Sequence, residues 1–251
     1  MEKSMYQSMY ETETYHWYFK AKYEIVLNLL KKYGLGKNTQ LNIIDFGCGC
    51  GKMLQYLSQY GNAEGIDFSD EAILYCKQSF DGAIEKADLE TYISEKKYDY
   101  GLALDVLEHI KNDFQALLNI RNAMGREGIC IITVPAFMCL WSEHDKNCMH
   151  QKRYKKKQLV ELVSASGFKV EFCSYYNFWF FPIVFLFRKI ENMFRINNSG
   201  SRLEYGFSDG TINNILYKIF VSEKKRLCKQ RSFPFGVSLI CVARNNKEGI
   251  K

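Results

Sequence analysis

Asp45-Phe46-Gly47-Cys48-Gly49-Cys50-Gly51 is the segment of this sequence best suited to hold a small molecule. Glycine at every second position lets the backbone turn tightly and approach a ligand, and a following helix aims its N-terminus at negative charge. Counted from Gly47, a dinucleotide-binding GxGxxG would need glycine at 52, where the chain has Lys52. Asp67, at the end of an apolar run, stands where a carboxylate can accept both hydroxyls of a ribose, which suits several nucleotides. Three of the four histidines, His109, His144 and His150, fall between Asp105 and Arg153. His144 adjoins Asp145, a carboxylate able to orient a neighbouring imidazole and raise its basicity, so general-base chemistry is expected there.

Those residues need strand ends to position them. Apolar runs predict strands at 41–46, 63–67, 83–88, 98–105, 128–135, 168–176 and 235–244. Helical spacing predicts helices at 20–33, 52–60, 69–79 (Ser69 or Asp70 as N-cap), 113–124 and 155–166 (Gly167 as C-cap). Strands regularly separated by helices give an α/β fold, a seven-stranded mainly parallel sheet with helices on both faces. Ligands of such sheets lie at the carboxyl ends of the strands, here the loops after Phe46, Asp67, Asp88, Leu104 and Val134. The expected organisation is a single domain over 1–251. It comprises an N-terminal helical cap (1–40), a core (41–176), an insertion or lid before the last strand (177–232), and the final strand with its tail (233–251).

Composition narrows the class. The chain has 251 residues, 47% of them hydrophobic and 25% charged, which excludes a disordered protein. Nine cysteines without a CxxC pair argue against a disulfide scaffold and a zinc ribbon. The opening MEKSMYQSMYETETYHWYF has acids and no apolar run, so no secretory signal is expected and a reducing, cytoplasmic setting is. The net charge is +6, with one basic cluster at 152–157 and another at 224–231, the latter read as a solvated face.

GxGxG preceded two residues earlier by Asp45 resembles motif I of the class I S-adenosylmethionine (SAM) methyltransferases. Ala87-Asp88-Leu89 matches the place where that superfamily meets the adenine, and Asp105-Val106-Leu107-Glu108-His109 resembles its DVLEH segment, under the methionine part of SAM. His16-Trp17-Tyr18-Phe19-Lys20-Ala21-Lys22 resembles an HWWFRAR segment of bacterial methyltransferases associated with polysaccharide and glycolipid biosynthesis. Leu140-Trp141-Ser142-Glu143-His144-Asp145 and His150-Gln151-Lys152-Arg153-Tyr154 resemble their LWS-HD and H-RRY runs. The likeness covers about residues 10–175. Lys20 and Lys22 replace arginines of the pattern, and lysine cannot make the bidentate clamp of a guanidinium.

The resemblance implies a Rossmann-like fold, SAM as cofactor, S-adenosylhomocysteine as product, and transfer of methyl to an acceptor. Trp17, Phe19, Lys22, Asp45, Gly47, Cys48, Gly49, Gly51, Asp67, Phe68, Asp88, Leu89, Asp105, Val106 and Leu107 become the expected cofactor site. Trp17 and Phe19 either cap the sulfonium or staple the first helix, and can do both. His144 is the expected base, with His109 and Asp145 as alternatives. His150, Arg153 and Tyr154 are expected at the acceptor, with Arg153 toward a phosphate. No metal is expected, although His144, Asp145 and His150 could supply ligands. The favoured acceptor is a nucleotide- or lipid-linked sugar of surface polysaccharide biosynthesis. Alternatives are another small acceptor such as a quinone or amine, RNA (for which no binding module is found), or a SAM-binding scaffold without catalysis. The aromatic run 175–187 with Arg188 and Lys189 is too short to cross a bilayer. It is read as packing in the protein or a homodimer, with contact at the inner face of the membrane as the alternative.

Overall fold

A computed structural model describes residues 3–37, 40–194 and 210–246 of the chain. The apolar runs pair into one sheet of β1 (Asn42–Phe46), β2 (Asn62–Asp67), β3 (Ile84–Lys86), β4 (Tyr98–Leu104), β5 (Met124–Pro135), β6 (Lys169–Tyr176) and β7 (Ser238–Arg244). Their order is β3-β2-β1-β4-β5-β7-β6. β1 to β5 pair in parallel, while β7 runs antiparallel to both β5 and β6. Helices cover both faces of such a sheet, so its strands read as unbroken apolar runs rather than alternating ones. Ile43, Ile44, Phe46, Leu102, Ala103 and Cys130 to Ile132 are buried accordingly. The chain leaves β1 and β4 in opposite directions across the sheet, which makes their carboxyl ends the switch point where ligands of open α/β sheets bind.

Ten helices are described: α1 (Lys3–Thr12), α2 (Trp17–Lys32), α3 (Lys52–Leu57), α4 (Asp70–Ser79), α5 (Asp113–Ala123), α6 (Glu143–Asn147), α7 (Lys156–Ala165), α8 (Phe181–Phe194), α9 (Thr211–Val221) and α10 (Lys224–Cys228). Ser69 caps α4 by accepting from the Ala72 N–H. Gly167 takes φ +91° just beyond α7, the left-handed turn that ends helices and favours glycine. α2 starts at Trp17, earlier than the apolar spacing indicates, because the His16 side chain accepts from the Tyr18 N–H and caps it. α1 is not among the expected helices: Met5, Tyr6, Met9 and Tyr10 recur at helical spacing, but over only two turns and among polar residues.

The expected insertion is helical where it is described, and residues 195–209 within it lie outside the described residues. So do residues 1–2, 38–39 and 247–251 of the expected cap and tail. The insertion joins the N-terminal helices through Asn213 of α9. Its side chain accepts from the Trp17 N–H (2.8 Å) and donates to the Tyr15 carbonyl (2.8 Å). The aromatic run divides in two. Tyr175 and Tyr176 end β6 inside the core, whereas Ile183, Leu186 and Ile190 of α8 are exposed. The second basic cluster is partly engaged, since Lys224 pairs with Glu24 of α2. No described helix is long and apolar enough to cross a membrane.

Candidate active site

A cavity of about 1600 Å³ opens at the carboxyl ends of β1, β2, β4 and β5, beneath α1, α2 and α8. On its wall stand Trp17, Phe19, Lys22, Asp45, Gly47, Cys48, Gly49, Asp67, Phe68, Asp88, Leu89, Asp105, Val106, His109, His144, His150 and Arg153. Residues remote in sequence therefore meet in one place.

At the β1–β2 end, backbone shapes the surface. Gly47 (φ +78°) and Gly49 (φ +53°) adopt left-handed conformations. A Cβ on Gly47 would collide with the Val106 side chain, and one on Gly49 would come within 2.8 Å of Met9 Cε. The loop is thus closed down on β4 and α1 with no room for side chains. Asp67 accepts from the Gly49 N–H (3.0 Å) and the Ser69 N–H (2.9 Å), which aims its carboxylate and leaves further lone pairs for hydroxyl donors. Asp45 is almost fully buried, and its Oδ1 has no hydrogen-bond partner among the described residues. Burial pushes its carboxyl up to about 8, against the pull of Lys22 and with the help of Asp67. A buried, half-satisfied carboxyl beside a cavity suits a cationic ligand group.

The junction with β5 is charged. Lys22 Nζ lies 2.6 Å from Asp105 Oδ2, and Thr133 Oγ1 donates to Asp105 Oδ1 at 2.8 Å. Burial works against ionisation of Asp105, but the Lys22 ammonium and these hydrogen bonds hold its carboxyl below its usual range. Asp105 itself sits at φ +59°, a strained conformation for a residue with a Cβ, held by its N–H to the Thr133 carbonyl (3.0 Å).

Beyond Asp105 lies a cluster of Glu108, His109 and His150. The His109 and His150 rings meet edge to face at 4.7 Å, and the His144 ring is 6.0 Å from that of His150. Glu108 is fully buried, and neither carboxylate oxygen has a hydrogen-bond partner among the described residues. Burial and the nearby Asp105 raise its carboxyl to about 8. Burial, then the charge of His150, lowers His109 to about 4. His150 moves the other way, to about 9: burial opposes its charge most, but Asp145, Cys148 and the nearby Glu108 together outweigh it.

Four expected site residues fall off the cavity wall. Gly51 (φ +86°) precedes α3, and a Cβ there would meet Cys76 Sγ at 2.6 Å, so it is a packing glycine. Leu107 is buried in the core. Tyr154 is buried with its hydroxyl 2.8 Å from Asp113 Oδ2. Asp145 is fully buried: Arg153 donates to its two oxygens at 2.7 and 3.0 Å, His150 Nδ1 lies 2.9 Å from Oδ1, and the Ser142 N–H is 2.9 Å from Oδ2. Two expectations are corrected by this geometry. The imidazole that Asp145 orients is His150 rather than the adjacent His144, whose Nε2 is 3.4 Å from Cys148 Sγ. The bidentate face of Arg153 is committed to Asp145, with a further bond to the Ala136 carbonyl, so it is not held out for an acceptor phosphate.

Several wall residues lie outside the expected set. Tyr6 and Met9 come from α1, Phe180 from the turn before α8, and Ile183, Val184 and Phe187 from α8. Glu108 is the inner residue of the DVLEH segment; an acid in an otherwise apolar half-turn was its only signal.

Comparison with known proteins places these features in context. Residues 16–172 match a family described as "Methyltransferase domain". A ubiquinone biosynthesis O-methyltransferase of Rickettsia bellii is 31% identical over 101 residues, 38% of this chain and 42% of that protein. The corresponding protein of Rickettsia canadensis is 32% identical over 156 residues, 53% of this chain and 64% of its own length. The matches thus span less than two thirds of these curated relatives. Among solved structures, a TehB-like SAM-dependent methyltransferase from Corynebacterium glutamicum shares the fold with a TM-score of 0.53, 18% identity and 88% coverage of both chains.

Proposed function

This chain belongs to the methyltransferase-domain family, and on that footing we propose that it methylates an oxygen of an apolar aromatic acceptor of the quinone-precursor class, using SAM. The observation that carries this reading is the continuity of one cavity. Its β1–β2 end is built of tight glycine turns and aimed carboxylates, and its far wall is α8, where Ile183, Val184 and Phe187 stand beside the Arg188–Glu191 pair. The Rickettsia relatives named for ubiquinone biosynthesis support the acceptor class. Phe180, Val184 and Phe187 would leave sugar hydroxyls against an apolar surface, and the polar groups of the same wall, Arg188 and Glu191, are paired with each other.

SAM supplies a sulfonium methyl that needs no further activation. The chain aligns the two partners, keeps water out and manages one proton. Asp67 receives ribose hydroxyls, Phe68, Asp88 and Leu89 frame the adenine, and Asp45 faces the ammonium. Lys22 gives one of its three N–H donors to Asp105 and turns the others to the carboxylate. Trp17 and Phe19 cover the donor from α2. Glu108, His109 and His150 receive the acceptor hydroxyl and favour loss of its proton. His144, farther round the wall beside Cys148, lines the acceptor side.

In this reading the described parts of the cap (3–37) and of the insertion (177–194 and 210–232) close over the core (41–176) as parts of one domain. Peripheral contact with an anionic membrane belongs to this reading. Trp179, Ile183, Leu186, Ile212 and Ile215 are exposed near the apolar wall, accompanied by Lys189 and Lys218. The deciding experiment is methyl transfer from isotope-labelled SAM to a polyprenylated catechol, to pooled nucleotide sugars and to RNA. Label on the catechol alone is expected. Label on a nucleotide sugar overturns the acceptor class, and tight SAM binding without any transfer overturns catalysis.

A further inference from the structure

The cluster beyond Asp105 has the donors of a metal site. Glu108, His109 and His150 each offer one ligand atom, and these atoms all lie within 4.8 Å of one another. A buried carboxylate whose two oxygens both lack a hydrogen-bond partner is costly, because its desolvation is offset by nothing on the protein. Here it lines a cavity and faces two imidazoles. We propose that Glu108, His109 and His150 bind one divalent ion of the zinc class at the acceptor end of the cavity.

The support around the cluster has the form that metal sites use. A metal-ligating histidine gives its second ring nitrogen to a carboxylate, which fixes the tautomer and strengthens the ligand. His150 Nδ1 meets Asp145 at 2.9 Å, leaving Nε2 for the ion. Asp145 is itself clamped by Arg153 and by the Ser142 N–H, so the imidazole is held by a buried, immobile partner. Met149, at φ +58°, turns the chain after α6, and the His150 N–H returns to the Asp145 carbonyl at 2.8 Å. The Gln151 N–H then donates to the Glu108 carbonyl at 2.6 Å, which ties the two ligand-bearing segments together.

Two imidazoles and one carboxylate favour zinc or cobalt over magnesium, which prefers oxygen ligands and octahedral geometry. Three protein ligands leave a fourth position open to the cavity. That position suits an acceptor hydroxyl, whose acidity the ion raises as it does that of bound water. The balance is simple. The O–H proton leaves to solvent, the acceptor oxygen forms its bond to the methyl carbon, and the C–S bond breaks with its electron pair going to sulfur. The ion stays divalent throughout.

This catalytic role rests on the methyl-transfer reading, while metal binding does not, so the two are tested separately. The full-length chain, stripped with chelator and carrying Cys139→Ser to remove an exposed thiol, is titrated with Zn²⁺ by calorimetry and with Co²⁺ by visible absorption. The expected result is one equivalent bound with a d–d spectrum of low-symmetry Co²⁺. Glu108→Gln should weaken binding about 100-fold, and Asp145→Asn about 10- to 100-fold. Circular dichroism melts check that each variant is folded, and His109→Ala, on the cavity wall, serves if Asp145→Asn is not. A folded wild-type chain that binds neither ion, or a Glu108→Gln variant that binds both as wild type does, overturns the site. SAM affinity measured in chelator reports on the donor end alone and is expected to be unchanged. Full methyl transfer to the catechol in chelator overturns the catalytic role of the ion while leaving the methyltransferase reading intact.

Discussion

Asp67 and Asp145 are carboxylates at opposite ends of the same active-site region, and they do opposite work. Asp67 is fixed by two backbone N–H groups and keeps its open lone pairs toward the cavity. Asp145 is removed from the cavity altogether, and its polar contacts hold the Arg153 and His150 side chains and the Ser142 N–H at the start of α6. At the donor end, recognition is carried by a backbone shape with individual carboxylates set into it. At the acceptor end, a buried ionic frame carries the residues that meet the substrate. The difference implies that binding and folding are separable at the first end and entangled at the second.

Arg153→Met gives the strongest test of that contrast. It leaves Asp145 buried with its main counter-charge gone, and the expected loss is about 3–5 kcal/mol of folding stability in urea denaturation. A loss under about 1 kcal/mol would mean the frame is not what holds His150. Gly47→Ala comes next. Its positive φ and the collision with Val106 should cost about 1–3 kcal/mol of stability and also lower SAM affinity. Val106→Ala in the same chain should recover the steric part but not the backbone part. Asp67→Ala should leave the urea midpoint nearly unchanged and weaken SAM binding by about 1–3 kcal/mol in calorimetry. Retained affinity would remove Asp67 from the ribose contact, and loss of fold would erase the contrast itself.

The smallest expected effect concerns protons. Asp45, with its carboxyl raised by burial to about 8, is protonated in the free protein at neutral pH. A cationic ligand group favours its ionised form, so SAM binding should release protons, and affinity should rise with pH up to that value. Between pH 7 and 9 the gain is about tenfold if only the carboxylate binds. Calorimetry in buffers of different ionisation enthalpy measures the release, and Asp45→Asn should abolish both effects. The same carboxyl affects stability in the matching direction. Its folded pKa is raised, so its buried charge weakens the free protein progressively as pH climbs from the ordinary carboxylate range through about 8.

Legibility in the sequence follows the same division. β1, β4 and β5 could be read from their apolar runs, and β2 and β3 from their place in the alternation of strands with helices, with the acids or glycines at their ends. Asp45, Asp67, Asp88 and Asp105 duly reach one cavity. The acceptor end could not be read that way. His144 and Asp145 are adjacent in sequence, but consecutive residues of a helix point in different directions, and α6 contains both. Asp145 instead meets His150 and Arg153, which the left-handed turn at Met149 brings back after the helix ends. Nothing in residue type marks that turn. α1 went unread for another reason: its stripe of Met5, Tyr6, Met9 and Tyr10 is short and set among polar residues, and it packs through Tyr10 against Tyr75 of α4. The insertion helices broke the strand–helix rhythm and left no period to follow, although α8 supplies much of the acceptor wall.

The place of β7 has a consequence for how the molecule is made. It follows β6 and the insertion in sequence, yet it lies between β5 and β6, antiparallel to both. Until it arrives, β5 has an open edge that pairs only with β4, and β6 has no neighbour in the sheet at all. During synthesis β1 to β5 can pair first, while β6 waits for β7 to emerge. An unpaired edge of that length, rich in Ile and Val, invites pairing with other chains. Until β7 has been made, that edge of β5 is therefore the part of the sheet most open to pairing with another chain.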